Sequence, residues 1–176
     1  MKTKYVWINE EGVPEGSPQT RMVEPPPDGW VEWQEVELDD NPLLKYEPQY
    51  FEDENVARLV AVFDLEAAKE EKWWLVKAER DSKEFGLFEW DGFTFDCNEV
   101  SQRRIQGAVQ LAALDNTTEM DWTLADNSSQ TFNATELQQI GQALGAHVNA
   151  CHVKARGLRA EIDAATTETE LDAISW

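Results

Sequence analysis

Basic side chains are scarce in this sequence: 15 Lys and Arg stand against 35 Asp and Glu, a formal charge of −20 at pH 7 over 176 residues. Nucleic-acid phosphates are bound by clustered Lys and Arg that release counterions, so a chain this acidic excludes DNA or RNA binding as its main role. Anionic membrane surfaces are disfavoured on the same ground. Cysteine is limited to Cys97 and Cys151. That excludes the disulfide framework of small secreted domains and leaves room for one bridge at most. No stretch approaches the ~18 apolar residues of a membrane span. The opening segment, Met1 to Glu11, has too short an apolar run for a signal-peptide core. The expected location is therefore the cytoplasm in which the chain is made, or a particle assembled there.

Proline is missing from everything after Pro48, and all seven prolines lie between Pro14 and Pro48. Proline fixes φ and lacks an N–H, so this first section cannot be helical, and any sheet in it must be short and edge-like. The same section concentrates the charge. Residues 1–55 hold 14 acidic and 4 basic side chains, a net −10, which is half of the total. Lys4-Tyr5-Val6-Trp7-Ile8 reads as one strand and Gly29 to Val36 as another. Between them Pro25-Pro26-Pro27 forms a stiff polyproline-like arm ending in a turn at Asp28-Gly29.

What is present in quantity is apolar: 41% of the residues are hydrophobic and 8 are Trp. That is too much for a disordered acidic tail, and the length suits one ordinary domain or two small ones. From Asp53 to Ser82 neither proline nor glycine occurs. Val56, Leu59, Val60, Phe63 and Ala67 recur at spacings of three and four, which predicts a long helix over 53–82 with Glu52-Asp53-Glu54 as anions in its first turn. An isolated helix of this length is weakly stable, so its apolar face needs a partner from the same chain or from other copies.

Beyond Phe85 the order is hairpin, helix, hairpin, helix, helix. Asp91-Gly92 between Phe85–Trp90 and Phe93–Asp96 is a tight hairpin turn. Ser101 is read as the cap of a helix, and Asp121–Ala125 turns through Asp126-Asn127-Ser128 into a second hairpin. Asn133 and Glu136 form a capping box. The helix they open carries one seam, Leu137, Ile140, Leu144, Val148, Cys151, Ala155, Leu158 and Ile162. Gly141, Gly145 and Gly157 interrupt it, each at a cost of about 1 kcal/mol relative to alanine, and are read as places of close approach. Thr167 and Glu170 repeat the capping pattern before a last helix, Leu171 to Trp176. The fold class is α+β: a small N-terminal β segment (1–48), a long central helix (53–82) and a C-terminal domain (84–176).

Taken in order, Trp90-Asp91-Gly92, Phe95-Asp96, Ser101, Ile105-Gln106-Gly107-Ala108, Trp122, Asp126-Asn127, Glu136-Leu137, Gly141, His147-Val148, Ala155-Arg156, Leu158, Ile162–Thr166 and Glu170-Leu171 carry a resemblance. They resemble a C-terminal domain of unknown function in tailed-bacteriophage tail proteins, tail-fibre and tail-fibre-assembly proteins among them. The resemblance covers about residues 72–176. It implies a structural or assembly module of the virion, with no catalytic residues and no cofactor to carry over. The expected partners are other tail proteins and further copies of the chain, with a trimer as the default because tail fibres are trimeric.

Candidate sites point the same way. His147 and Cys151 lie four apart, the spacing of two metal ligands, with His152 and Cys97 nearby candidates; against this, Cys151 falls on the apolar seam, where a thiol packs as a small hydrophobe. Neither Asp39-Asp40-Asn41 nor Glu52-Asp53-Glu54 follows the ligand pattern of a calcium loop. No nucleophile motif and no carboxylate pair stands out, so no enzyme is expected. The expected interface consists of Val56, Leu59, Phe63, Trp73 and Trp74 on the long helix and Trp30 and Trp33 ahead of it. The acidic first section would steer docking to a basic partner. Two other readings stand beside this one: an assembly chaperone absent from the finished particle, and a module that recognises host glycans through Trp and Asp or Asn side chains.

Overall fold

The computed structural model describes residues 3–20 and 28–176, so the Pro25-Pro26-Pro27 arm lies outside the described residues. The chain is α+β and divides into two compact units, Met1–Ala68 and Lys69–Trp176.

The first unit is a five-stranded sheet of β1 (Lys4–Ile8), β2 (Pro14–Thr20), β3 (Trp30–Gln34), β4 (Leu44–Phe51) and β5 (Val56–Phe63). Its spatial order is β2-β1-β3-β5-β4, with β3 and β5 parallel and the other neighbours antiparallel. Pro14 and Pro18 lie in β2 and Pro48 in β4, the two edge strands, where a missing N–H costs the fewest ladder bonds. Val6 and Val31 face each other across β1 and β3 and with Ala57 form a small core, against which Ile8, Trp33 and Tyr50 pack.

Here the sequence expectation is corrected. Residues 56–63 are not the start of a helix but strand β5, and the sheet extends beyond residue 48. Val56-Ala57-Arg58-Leu59-Val60-Ala61-Val62-Phe63 is an almost unbroken apolar run, which satisfies a period of three to four and a period of two alike. Its β-branched Val56, Val60 and Val62 fit a pleated surface, and Glu52–Asn55 turns the chain back onto β4, with Asn55 at φ 56°. The acids of Glu52-Asp53-Glu54 therefore sit in a hairpin turn, where Glu54 pairs with Arg58 at 2.9 Å. Helix α1 (Leu65–Glu84) begins only after Asp64, whose carboxylate accepts the Ala67 N–H at 3.2 Å.

The second unit contains the rest of α1, the hairpin β6 (Leu87–Trp90) and β7 (Phe93–Asp96), α2 (Glu99–Leu114), the hairpin β8 (Glu119–Thr123) and β9 (Ser129–Asn133), α3 (Ala134–Ala164) and α4 (Glu168–Ala173). Asp91 and Gly92 both take positive φ, 49° and 80°, as the tight turn requires. The cap of α2 is Asn98 rather than Ser101: its side-chain oxygen accepts from the N–H groups of Val100 and Ser101. The Asn133–Glu136 capping box opens α3 as expected. At α4 Thr167 is the cap, and the Glu170 carboxylate reaches back one residue further, to the Thr166 N–H at 2.7 Å.

Phe132, 1% exposed, is the hub of the core, with ring centroids of Trp90, Phe93 and Phe95 at 5.9, 5.5 and 5.8 Å. The first half of the α3 seam, Leu137, Ile140 and Leu144, packs into this cluster together with Ile105, Ala108 and Ala112 of α2. Along the second half, α1 runs antiparallel to α3. The Lys69 ammonium reaches the Asp163 carbonyl at 3.3 Å, the Arg159 guanidinium lies 5.2 Å from the Trp73 ring centroid, and His147 Nε2 lies 3.0 Å from the Lys83 carbonyl. These contacts set α1 against α3 of its own chain.

Candidate interaction site

The seven residues expected at an interface fall into two groups. Trp30, Trp33, Val56, Leu59 and Phe63 belong to the sheet of the first unit: Val56 is buried, the other four are half-buried, and Trp30 stands edge-on to Trp7 at 6.1 Å. Trp73 and Trp74 lie on α1 in the second unit, where Arg159 covers Trp73 and Trp74 is 61% exposed. The helical stripe Val56, Leu59, Phe63, Trp73 does not exist, because its first three members lie on a strand, Val56 on one face and Leu59 and Phe63 on the other.

The residues weighed as metal ligands are occupied otherwise. The Lys83 carbonyl can only accept, so His147 Nε2 carries the proton of that bond. His152 Nε2 lies 3.0 Å from a Glu84 carboxylate oxygen. Cys97 and Cys151 are both free and buried, and burial pushes both thiols above their ordinary range. Among the described residues, no group of three or more His, Cys, Asp or Glu side chains could hold a metal ion, and no helix is long and apolar enough to cross a membrane.

Two of the concave features on the surface of the second unit border α2. The larger is a trough of about 1030 Å³ between α2 and α3. The two helices approach closely at Gly141. A Cβ built on Gly141 would lie 2.5 Å from Val109 Cγ2, whereas one built on Gly145, a turn further along, meets nothing within 4 Å. Ile105, Val109, Leu144 and Val148 provide its apolar lining, and Gln102, Gln106, Gln110, Gln138, Gln142 and Asn149 its polar one. Gln102 is tied to the Cys97 carbonyl at 3.0 Å and Gln138 to the Ala112 carbonyl at 3.4 Å. The amides of Gln106, Gln110, Gln142 and Asn149 have no hydrogen-bond partner among the described residues.

The smaller feature, about 570 Å³, lies between α2 and the β8–β9 hairpin. Half-buried Trp122 forms one wall, with Asp96, Arg104, Asp121 and Asn127 also lining it. The unit also leaves large apolar side chains open to solvent. Leu75 is 50% exposed on α1, and Leu111 and Leu114 are 53% and 86% exposed on α2.

One family model, a domain of unknown function (DUF4376), matches residues 67–175. No curated protein matches the chain, and no solved structure does.

Proposed function

The chain belongs to the DUF4376 family, and from that premise we propose that it is a structural component of a bacteriophage tail, associated with the tail fibre or the baseplate and acting through protein–protein association. The phage assignment is supported by the ordered residues from Trp90 to Leu171 that resemble tail proteins. The mode of action is carried by one observation: the described residues bury no polar or charged side chain, while Trp74, Leu75, Leu111 and Leu114 stand half or more exposed. Trp74 and Leu75 are neighbours on α1, and Leu111 and Leu114 lie one turn apart on α2, so each pair offers apolar surface for another protein to cover.

Association with further copies, a trimer by default, belongs to this proposal, but its contacts differ from a coiled coil of α1. Val76 of that helix is buried and Trp73 lies under Arg159 of α3, so self-association falls to Trp74 and Leu75. Light scattering of the full chain and of Trp74→Glu compares the two arrangements: the variant loses mass if Trp74 is the contact. Mass spectrometry of purified particles tests the function itself. Detection of the 20.1 kDa chain supports a virion component. Its absence from particles, with the chain present in infected cytoplasm, favours the assembly chaperone.

The cleft at Trp122 favours a second reading, recognition of host glycans. An aromatic wall flanked by carboxylate, guanidinium and amide groups offers a sugar both an apolar face and paired donors and acceptors. A glycan array probed with the full chain and with Trp122→Ala decides it.

A further inference from the structure

We propose that the trough between α2 and α3 is a docking groove for an extended, acidic segment of a partner polypeptide, held mainly through its backbone. The proposal rests on the reading that the chain acts by protein association, and it names the surface and the chemistry of the partner.

The amides carry the argument. A carboxamide is the one side chain that, like a peptide unit, offers an N–H donor and a carbonyl acceptor together. Gln102, Gln106 and Gln110 step by four along α2, and Gln138 and Gln142 do so along α3. Four residues of helix rise about 6 Å. Two residues of an extended chain rise about 6.6 Å. A ladder of amides at helical spacing therefore meets every second peptide unit of an extended segment nearly in register. The four amides without an internal partner are free to make those bonds. From Gln138 to Arg156, α3 rises about 27 Å, the length of about eight extended residues.

Charge selects the partner. At the chain's average of 35 acids in 176 residues, fifteen lining positions would hold about three carboxylates, yet none of the fifteen is Asp or Glu. Arg156 lines one end, is exposed and has no ion pair among the described residues, while nearby His152 is already engaged by Glu84. In a protein of net charge −20 this is a place whose lining side chains set no carboxylate of their own against an anionic segment. The half-buried Val109 and Val148 offer apolar contact to alternate side chains of the guest.

The test uses the full chain and three N-acetylated, C-amidated octapeptides of alternating acidic and β-branched residues, followed by backbone NMR shifts. All three should move the signals of α2 and α3 that border the trough, with similar affinities, because the backbone is the main thing read. Methylating alternate backbone nitrogens of one peptide, at unchanged charge, should weaken binding tenfold or more. Gln106→Leu with Gln142→Leu should do the same, and Arg156→Gln should weaken it a few-fold while leaving the amide dependence intact. The proposal is overturned if none of the three peptides shifts trough signals, if the N-methylated peptide binds as well as its parent, or if a sulfated oligosaccharide of equal charge competes equally. It is overturned too if the trough proves to be covered by a second copy of the chain, seen as a dimer that the double Gln variant abolishes. Peptide failure with the chain still found in purified particles leaves protein association standing and removes only this groove.

Discussion

Gly141, Gly145 and Gly157 lie in one helix, and replacing each with alanine separates packing from helix propensity. In a helix interior alanine is favoured over glycine by about 1 kcal/mol. At Gly145 and Gly157 a new Cβ meets nothing within 4 Å, so each substitution should raise stability by about that amount. At Gly141 the methyl arrives 2.5 Å from Val109 Cγ2, more than 1 Å inside the distance at which carbon atoms attract. Overpacking of that kind costs about 1–3 kcal/mol. The propensity gain is common to all three variants and cancels when Gly141→Ala is compared with Gly145→Ala. The two should therefore differ by about 1–3 kcal/mol, a separation of about 1 M in urea midpoint for a domain of this size. Far-UV circular dichroism in urea reads it directly. Val109→Ala removes Cγ2 and leaves Val109 Cβ 3.7 Å from the new methyl, so the double variant should recover most of the loss beyond what Val109→Ala alone costs. If Gly141→Ala stabilises as much as Gly145→Ala, the close contact of α2 with α3 at Gly141 is refuted.

Phe132→Ala removes the centre of the aromatic cluster and should destabilise the second unit by about 3–5 kcal/mol, seen as a lowered calorimetric midpoint. Asn133→Ala, which removes a cap that accepts two N–H groups, should cost about 1 kcal/mol in the same measurement. Hydrogen bonds from the Thr166 N–H and hydroxyl hold the Glu170 carboxyl below its ordinary value of 4.5. A depressed folded pKa gives stability that is present above the unfolded value and lost as pH falls through the folded one, so acidification below pH 4.5 should destabilise the protein less in Glu170→Gln than in the parent. Cys97 is fully buried with a raised thiol pKa, so its reaction with a disulfide reagent at neutral pH should proceed only as fast as the fold opens.

Much of the second unit was legible because its signals are local. Asp91-Gly92, the Asn133–Glu136 box and the three-and-four steps from Leu137 to Ile162 each fix a turn, a start or a face within a few residues. The first unit was harder because its signals are ambiguous one strand at a time. Val56–Phe63 is apolar at nearly every position, so only its pairing with β4, from Phe51↔Val56 to Leu44↔Phe63, and with β3, where Glu32 meets Val56, decides strand over helix. Asp64, directly before the true helix start, was the local cue that carried the boundary. The trough had a visible signal as well, Gln at 102, 106 and 110. What no pattern could show is that α2 and α3 pack side by side, with Val109 close against Gly141, which puts amides of both helices on one groove.

The prolines at both margins of the N-terminal sheet bear on how the protein behaves when crowded. An open sheet edge is a template on which a neighbour's strand can grow, and proline interrupts the row of donors such growth needs. Copies set side by side at high density, as in a repetitive assembly, are thereby kept from zipping backbone to backbone into fibrils. Contacts of this unit with its surroundings then fall to side chains, so they can be released by a change of salt or a single substitution rather than by unravelling a sheet.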